Sequence, residues 1–253
     1  MTAFIEDPVK KAGVEWAKKN HFAKFVESKI VDNSDAYPKF DKAQLNLGKV
    51  LGKGGFCTVY EVRGVDVANR RRLSQEADEA QFIAENCLRK ETGDARYAIK
   101  FLSPEIVSEN GSFIQGILDM ATETRVFSDT EHPNIVKARA FAHESPFDEQ
   151  YFIMMDRLYD TLEKRIGKWA KQNRRYSGLN GKLLDRKGQK KKDLLEERVV
   201  DAFDLSDAIG YLHQKNIVYR DIKPENIGFD VVCCRAFRFN TVITIMVAHC
   251  LRI

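Results

Sequence analysis

Residues 219 to 226 read YRDIKPEN, and this short stretch decides how the rest of the sequence is interpreted. After a long helical pattern it places Asp221, then Lys223 two positions later and Asn226 five positions later. An aspartate can accept a hydroxyl proton, a lysine can contact a phosphoryl group, and an asparagine oxygen can bind a divalent cation. Few structural requirements would combine these residues at this spacing, so the stretch indicates phosphoryl-transfer chemistry.

A glycine cluster lies upstream, between two segments with the alternating pattern of strands. The sequence LNLGKVLGKGGFCTVYEV, residues 45 to 62, predicts a hairpin whose tip carries Gly52, Gly54 and Gly55. Without side chains, these residues would let phosphate oxygens approach backbone N–H groups. A hairpin turn also uses glycines for its own geometry, and Cys57 stands where a further spaced glycine would be, so the cluster alone does not separate the two uses.

A lysine and a glutamate form the next pattern. The sequence YAIK, residues 97 to 100, lies in a predicted strand and ends in Lys100, while Glu123 lies on the helix predicted at residues 112 to 130. A lysine on the inward face of a strand can neutralise nucleotide phosphates, and a buried lysine needs a carboxylate partner. Each residue taken singly is more typical of a solvated surface charge.

The order of these patterns along the chain adds to their meaning. The glycine turn, the strand lysine, the helix glutamate and YRDIKPEN follow one another as they do in one family, and over about residues 45 to 230 the sequence resembles a eukaryotic protein kinase of the Ser/Thr type. The resemblance implies an α+β fold, with an antiparallel five-stranded small lobe, one important helix and an incomplete helical large lobe. It also implies transfer of the ATP γ-phosphate to protein hydroxyls, with ATP and Mg²⁺ as cofactors.

The resemblance assigns roles to particular residues. Asp221 would be the catalytic base, Lys223 a phosphate contact and Asn226 a magnesium ligand. Met155 would be the gatekeeper behind the adenine, and Asp156 to Leu158 would form the hinge. The remaining implied nucleotide contacts are Gly52, Gly54, Gly55, Val59, Ala98 and Lys100, the last paired with Glu123.

The sequence departs from the family after Asp230. Residues 231 to 253 contain no Asp and no Glu, so the Asp-Phe-Gly aspartate that binds magnesium is missing, as are the activation segment and the rest of the large lobe. We therefore expect a truncated kinase whose activity is weak or absent; the alternative is a non-catalytic, nucleotide-binding scaffold. Three further departures are milder. Cys57 replaces a glycine and is expected to be an inert thiol, with redox activity as the alternative; Tyr219 stands where histidine is commoner; and Gly228 replaces a larger apolar residue beneath the adenine.

The expected organisation has four parts. An N-terminal helical extension (1–44) precedes the small lobe and hinge (45–158, with an insertion at about 64–93), the start of the large lobe (159–230) and an unrelated tail (231–253). Within the large lobe, the lysine- and arginine-rich segment at about 164–192 is predicted to be an exposed insertion. It could attract nucleic acid or another anionic partner, but a solvated loop is favoured because few aromatic residues are available to stack on bases.

Composition sets the remaining expectations. Hydrophobic residues make up 43% and charged residues 31% of the chain, and the formal charge is +4, which is ordinary for a globular protein. The five cysteines form no CxxC pair, which favours a reducing compartment: the cytoplasm, with the nucleus as an alternative. No stretch is long enough to predict a membrane span. The expected partner is a protein substrate, nucleic acid is not favoured, and the sequence does not indicate an oligomeric state.

Overall fold

A computed structural model describes residues 7–21, 28–67, 75–177, 181, 183–230 and 241–243. Its main sheet has six strands in the order β1-β5-β6-β4-β3-β2. The strands are β1 (Lys39–Phe40), β2 (Leu45–Lys53), β3 (Cys57–Val65), β4 (Tyr97–Leu102), β5 (Ala138–Ala142) and β6 (Phe152–Asp156).

The five longer strands pair antiparallel, as expected for the small lobe, and the α+β fold class is confirmed. The sixth strand, β1, was not predicted, and it makes the sheet mixed because it pairs parallel to β5, with Lys39 opposite Phe141. Two residues are too short for a period-2 pattern to be visible in the sequence. All six residues of β4 are buried, because this strand lies in the interior of the sheet.

Four helices accompany this sheet. The helix predicted at 112–130 is α4, and it is the most deeply packed of the four: thirteen of its residues are buried. The segment predicted to be a helical extension contains α1, which packs against α4, and the segment predicted to be an insertion contains α2. Their bounds are α1 (Pro8–His21), α2 (Gln75–Glu85), α3 (Pro104–Ser108) and α4 (Asn110–Asp129).

The C-terminal part contains two long helices, α5 (Leu162–Arg175) and α6 (Gln189–Gln214), and a small sheet. In this sheet β7 (Asp160–Thr161) and β9 (Thr241–Ile243) both pair antiparallel with β8 (Ile227–Phe229). Most of the tail, 231–240 and 244–253, lies outside the described residues. No helix in the described part of the chain is long and apolar enough to cross a membrane.

The prediction that 164–192 is a loop is wrong, because α5 covers its first half and α6 begins within it. Most of its described residues are exposed, as predicted. The hydroxyl of Thr161 accepts a hydrogen bond from the Lys164 N–H and caps α5. Arg165 is buried with its guanidinium 3.4 Å from the centroid of the Phe229 ring. Its ion-pair partners include Glu197, at 3.4 Å. The carboxylates that balance this basic segment therefore lie outside it in the sequence.

Candidate nucleotide and catalytic site

The residues expected around a nucleotide base lie on one face of the main sheet. Ala98 and Lys100 are two positions apart on β4, so both side chains point to the same side. Val59 is the cross-strand neighbour of Lys100, and Met155 is the cross-strand neighbour of Ala98. This register brings residues from three strands to one surface without any contribution from loops.

A cavity opens on this surface and extends to the C-terminal part of the chain. Its volume is about 750 Å³ including the open mouth. It is lined by Leu51, Gly52, Val59, Ala98, Lys100, Glu123, Phe127, Met155, Asp156, Leu158 and Glu225. A mostly apolar lining with a small number of charged groups is typical of small-molecule sites.

Lys100 and Glu123 form a buried ion pair at the back of the cavity. The ammonium lies 2.6 Å from each carboxylate oxygen, and Glu123 is completely inaccessible to solvent. Burial disfavours the charge on Lys100, but the surrounding negative charges and hydrogen bonds, with Glu123 first among them, together outweigh burial and raise the pKa of Lys100. The lysine therefore stays positively charged at neutral pH, as a phosphate-binding group must.

The packing of the protein itself does not require glycine at positions 52 and 55 of the hairpin. An added Cβ at Gly52 or Gly55 would meet no atom within 4 Å. In the described residues positive φ angles at glycine occur at Gly93 and Gly188 and not in this turn. The turn is closed instead by a hydrogen bond from the Gly54 N–H to the Cys57 carbonyl, at 2.7 Å. The open space beside Gly52 and Gly55 leaves room for a ligand to approach the backbone closely.

The thiol of Cys57 points into the core rather than into the cavity. Its side chain is buried, with Sγ 3.8 Å from the Met120 sulfur. Burial raises the pKa of Cys57 to about 11. At neutral pH the residue is therefore a protonated, inaccessible thiol, which favours the inert role over redox activity.

The hinge leaves one backbone donor available beside the cavity. The N–H of Arg157 donates to the Arg96 carbonyl at 2.9 Å, and the N–H of Tyr159 donates to the Phe229 carbonyl at 3.0 Å. Between them, the N–H of Leu158 makes no hydrogen bond with any described residue. An adenine edge could satisfy this donor. Asp156, at the start of the hinge, is held by Arg139 through two hydrogen bonds of 2.8 and 2.6 Å.

The three candidate catalytic residues of YRDIKPEN meet at one carboxylate, that of Asp221. The ammonium of Lys223 lies 2.9 Å from Oδ2 of Asp221, and the amide of Asn226 donates to the same oxygen at 2.6 Å. Asn226 also donates to the backbone carbonyl of Asp221 at 3.0 Å, so its side chain holds the loop in shape. The neighbouring Glu225 lines the cavity described above, which places this loop at the same cavity as Lys100.

The donor set for a divalent cation is incomplete. No group of three or more His, Cys, Asp or Glu side chains suited to a metal occurs in the part of the chain that the structure describes. Asn226 uses its amide N–H groups on Asp221, so its amide oxygen is the atom that a cation would take. Mg²⁺ is usually held by one or two carboxylates together with substrate phosphates. These residues therefore fit Mg²⁺ only in part, even with nucleotide phosphates present.

Three lining residues were not foreseen from the sequence: Leu51, Phe127 and Glu225. For two of them, the sequence contained a pattern that could have predicted their position. Leu51 directly precedes Gly52 on the same strand, and Phe127 lies four positions after Glu123, on the same face of α4. Glu225 is an exposed residue in a 3₁₀ turn, and no periodic pattern in the sequence marks it.

An antiparallel sheet with a buried lysine–glutamate pair, joined by a hinge to helices and an aspartate–lysine–asparagine loop, defines the class of protein kinase domains. A model of the protein kinase domain family matches residues 83–232, which is more than half of the chain. The chain belongs to the protein kinase family.

The curated relatives fit this assignment. The chain is 25% identical to an Aurora kinase of Saccharomyces cerevisiae, over 81% of this chain and 43% of that protein. It is 29% identical to the serine/threonine-protein kinase sgk-1 of Caenorhabditis elegans, over 71% of this chain and 28% of that protein. A probable myosin light chain kinase of Dictyostelium discoideum is 31% identical over 53% of this chain and 22% of that protein. The chain thus spans less than half the length of these relatives.

Proposed function

We propose that this chain binds ATP in the cavity between the main sheet and the YRDIKPEN loop, as a kinase domain of the Ser/Thr type. One observation carries the proposal: the Lys100–Glu123 pair, the open side of Gly52 and the Asp221 loop all border or adjoin a single cavity. The serine/threonine type rests on Lys223, two residues after Asp221, and on the name of the relative sgk-1.

In this proposal each residue has a defined task. Val59 and Ala98 cover the adenine, and the hinge from Asp156 to Leu158 bonds its edge. Lys100 neutralises the inner phosphates, because its charge is maintained by Glu123. The backbone of the glycine turn covers the outer phosphates.

The catalytic loop supplies the chemistry of the transfer. Asp221 accepts the proton of a serine or threonine hydroxyl of a protein substrate, and Lys223 contacts the transferred phosphoryl group. Asn226 contributes its amide oxygen to a divalent cation, which when bound would neutralise charge on the phosphates.

We further propose that phosphoryl transfer by these 253 residues is weak or absent. Residues 231–253 contain no Asp or Glu to supply the carboxylate that the family uses for its metal ion. Electrostatic stabilisation of the phosphoryl oxygens is the main source of catalysis in this reaction, so its loss is more serious than the loss of a binding contact. This feature also favours a second candidate function, a nucleotide-binding scaffold that regulates a partner without catalysis.

The test combines binding and transfer in one set of variants. ATP at 100 times its Kd is expected to stabilise the purified chain by about 2.7 kcal/mol, measured as a rise in melting temperature. Replacing both partners of the buried pair, Lys100→Met with Glu123→Met, should abolish this rise, whereas the exposed Lys171→Met should keep it. The absence of any ATP effect on the unaltered chain would contradict the proposal.

Transfer of ³²P from ATP to a generic protein substrate separates the two candidate functions. A kinase, however weak, shows transfer that Asp221→Asn removes. A scaffold shows ATP-dependent stabilisation with transfer at the background level in both chains. Transfer that persists undiminished in Asp221→Asn would contradict the role given to this residue.

We also propose a compartment and a partner. Cys57 and Cys87 are both free and buried, which supports a reducing compartment such as the cytoplasm. A protein substrate is proposed from the family alone.

A further inference from the structure

Gly228 lies in β8 at a position where the protein leaves no room for a side chain. An added Cβ would overlap Cδ1 of Leu158 and lie 2.9 Å from its Cβ and 3.2 Å from its Cγ. Real Cβ atoms do not approach other atoms this closely. The volume that a side chain at 228 would fill is therefore occupied by the side chain of Leu158.

The backbone fixes Leu158 in this position. The next residue, Tyr159, donates its N–H to the Phe229 carbonyl at 3.0 Å, and β7 then pairs with β8, with Thr161 opposite Gly228. On the other side, Arg157 donates to the Arg96 carbonyl, so the hinge is held on both sides of Leu158. These connections hold the backbone of Leu158, and with it the Cβ atom, against Gly228.

The same side chain lines the nucleotide cavity. Val59 and Ala98 line it from the main sheet, and Leu158 lines it where the chain passes from the hinge to the small sheet. Gly228 itself is buried beneath Leu158 and is not part of the lining. An apolar surface opposite the main sheet is what a flat aromatic base requires on its second face.

We infer that Leu158 forms the wall on the second face of the adenine, and that Gly228 is required because it leaves space for this leucine. The inference rests on the proposed function, because it assigns a further base-contacting residue to the same site. It makes positions 158 and 228 a matched pair: one large and one small residue share a single volume. It also gives Leu158 a side-chain role in base recognition in addition to its backbone role in the hinge.

The matched pair can be tested with a double-mutant cycle. Leu158→Gly removes the wall and should weaken both ATP and adenosine by about tenfold, which corresponds to about 1.4 kcal/mol. Gly228→Leu forces two side chains into one volume and should weaken both ligands at least as much. In the double variant, the leucine at 228 fills the space vacated at 158, so affinity for both ligands should recover to within about threefold of the unaltered chain.

Adenosine separates a base contact from a general loss of structure. Gly55→Ala serves as the control, since its Cβ meets no protein atom and would oppose only the phosphates. This variant should weaken ATP while leaving adenosine unaffected, whereas Leu158→Gly should weaken both equally. Melting temperatures without ligand should follow the same cycle, with the double variant more stable than Gly228→Leu alone.

The outcomes distinguish this inference from the proposed function. If the losses of adenosine affinity and of melting temperature are additive in the double variant, the matched pair is overturned. The proposal that the unaltered chain binds ATP would still stand. Binding of neither ATP nor adenosine by the unaltered chain would overturn both proposals. Equal adenosine affinity in the unaltered chain and Leu158→Gly would overturn the role of Leu158 in base recognition.

Discussion

At the scale of single residues, the buried Lys100–Glu123 ion pair is the feature that most needs an explanation. Both side chains are almost completely buried, at 7% and 1% exposure. Two buried charges are costly to remove from water, and their attraction offsets this cost only while both are present. The pair is therefore better explained by a functional need for a fixed ammonium than by stability.

Breaking this pair should be much more harmful than removing it. Glu123→Met alone leaves the lysine charge buried without its partner and is expected to lower the free energy of unfolding by about 3–5 kcal/mol in urea. Lys100→Met with Glu123→Met should cost clearly less. The exposed pair of Lys192 and Glu196 is the control, and Glu196→Met should change stability by less than about 1 kcal/mol. A double variant less stable than Glu123→Met would contradict this explanation.

The two buried thiols predict a pH dependence of stability. Burial raises the pKa of Cys57 and of Cys87 from 9.0 to about 11. As pH rises above 9 the unfolded chain releases these protons first, so the folded state should lose stability between pH 9 and pH 11. Urea unfolding at pH 8, 9, 10 and 11 measures the effect. With Cys57→Ala and Cys87→Ala together the fall should be smaller, and an identical fall in both chains would show that other groups cause it.

Residue-scale prediction from sequence worked where alternation or motif spacing carried the information. Lys100 and Ala98 are two positions apart in a strand, which predicts that they lie on one face. The proximity of Asp221, Lys223 and Asn226 is predicted by their close spacing within one turn. The sequence predicted a role for Leu158 only through its backbone, as part of the hinge. Its packing on Gly228 depends on a contact between residues far apart in the sequence, which no local pattern encodes.

At the scale of elements, α1 packs across α4 and supports it. Ala17 is completely buried, and an added Cβ at Gly13 would lie 2.7 Å from the Ile114 side chain, so the two helices approach closely. The ammonium of Lys10 lies 4.0 Å from the centroid of the Phe113 ring and 3.0 Å from a Glu149 oxygen. Because α4 carries Glu123, this contact should influence the position of the buried ion pair.

A single charge placed in the contact between α1 and α4 tests whether α1 supports α4. Ala17→Asp buries a carboxylate and should lower the free energy of unfolding by several kcal/mol, together with a measurable loss of ATP affinity. Ala12→Asp makes the same change on the exposed side of α1 and should affect both quantities little. Equal effects of the two substitutions would show that α1 does not support α4.

The element scale also shows where charge patterns mislead. Residues 164–192 looked like a loop because their lysines and arginines had only Asp185 as a local partner. In the structure Lys168 pairs with Asp160 at 2.6 Å, and Arg165 with Glu197. The helix is stabilised by partners before and after the segment, and such partners are visible only once the chain has folded.

At the scale of the whole molecule, α6 presents an exposed apolar stripe. Leu195, Val199 and Phe203 follow one another at helical spacing and are 57%, 59% and 70% exposed. Exposed contiguous apolar surface promotes association, so it should limit the solubility of the chain.

Polar substitution of this stripe should reduce association without disturbing the nucleotide cavity. The chain with Val199→Lys and Phe203→Gln should bind less of the dye ANS and sediment with a smaller apparent mass. The isolated exposed Phe82, on α2, supplies the control, and Phe82→Gln should change neither result. Unchanged ANS binding in the α6 variant would mean that the association arises elsewhere.

The whole fold was predictable to the extent that its elements are long and periodic. The five antiparallel strands and α4 appeared in the sequence at nearly their observed positions. The strand β1, the helix α5 and the docking of α1 did not, because each depends on tertiary partners rather than on its own pattern.

The central claim is that separate parts of the chain converge on one nucleotide, and hydrogen exchange with and without saturating ATP tests it most directly. The account predicts that peptides containing 52–55, 155–158 and 221–226 all exchange more slowly with ATP, and that Lys100→Met with Glu123→Met abolishes the change in all three together. Slower exchange in only one of these segments, or in none of them, would contradict it.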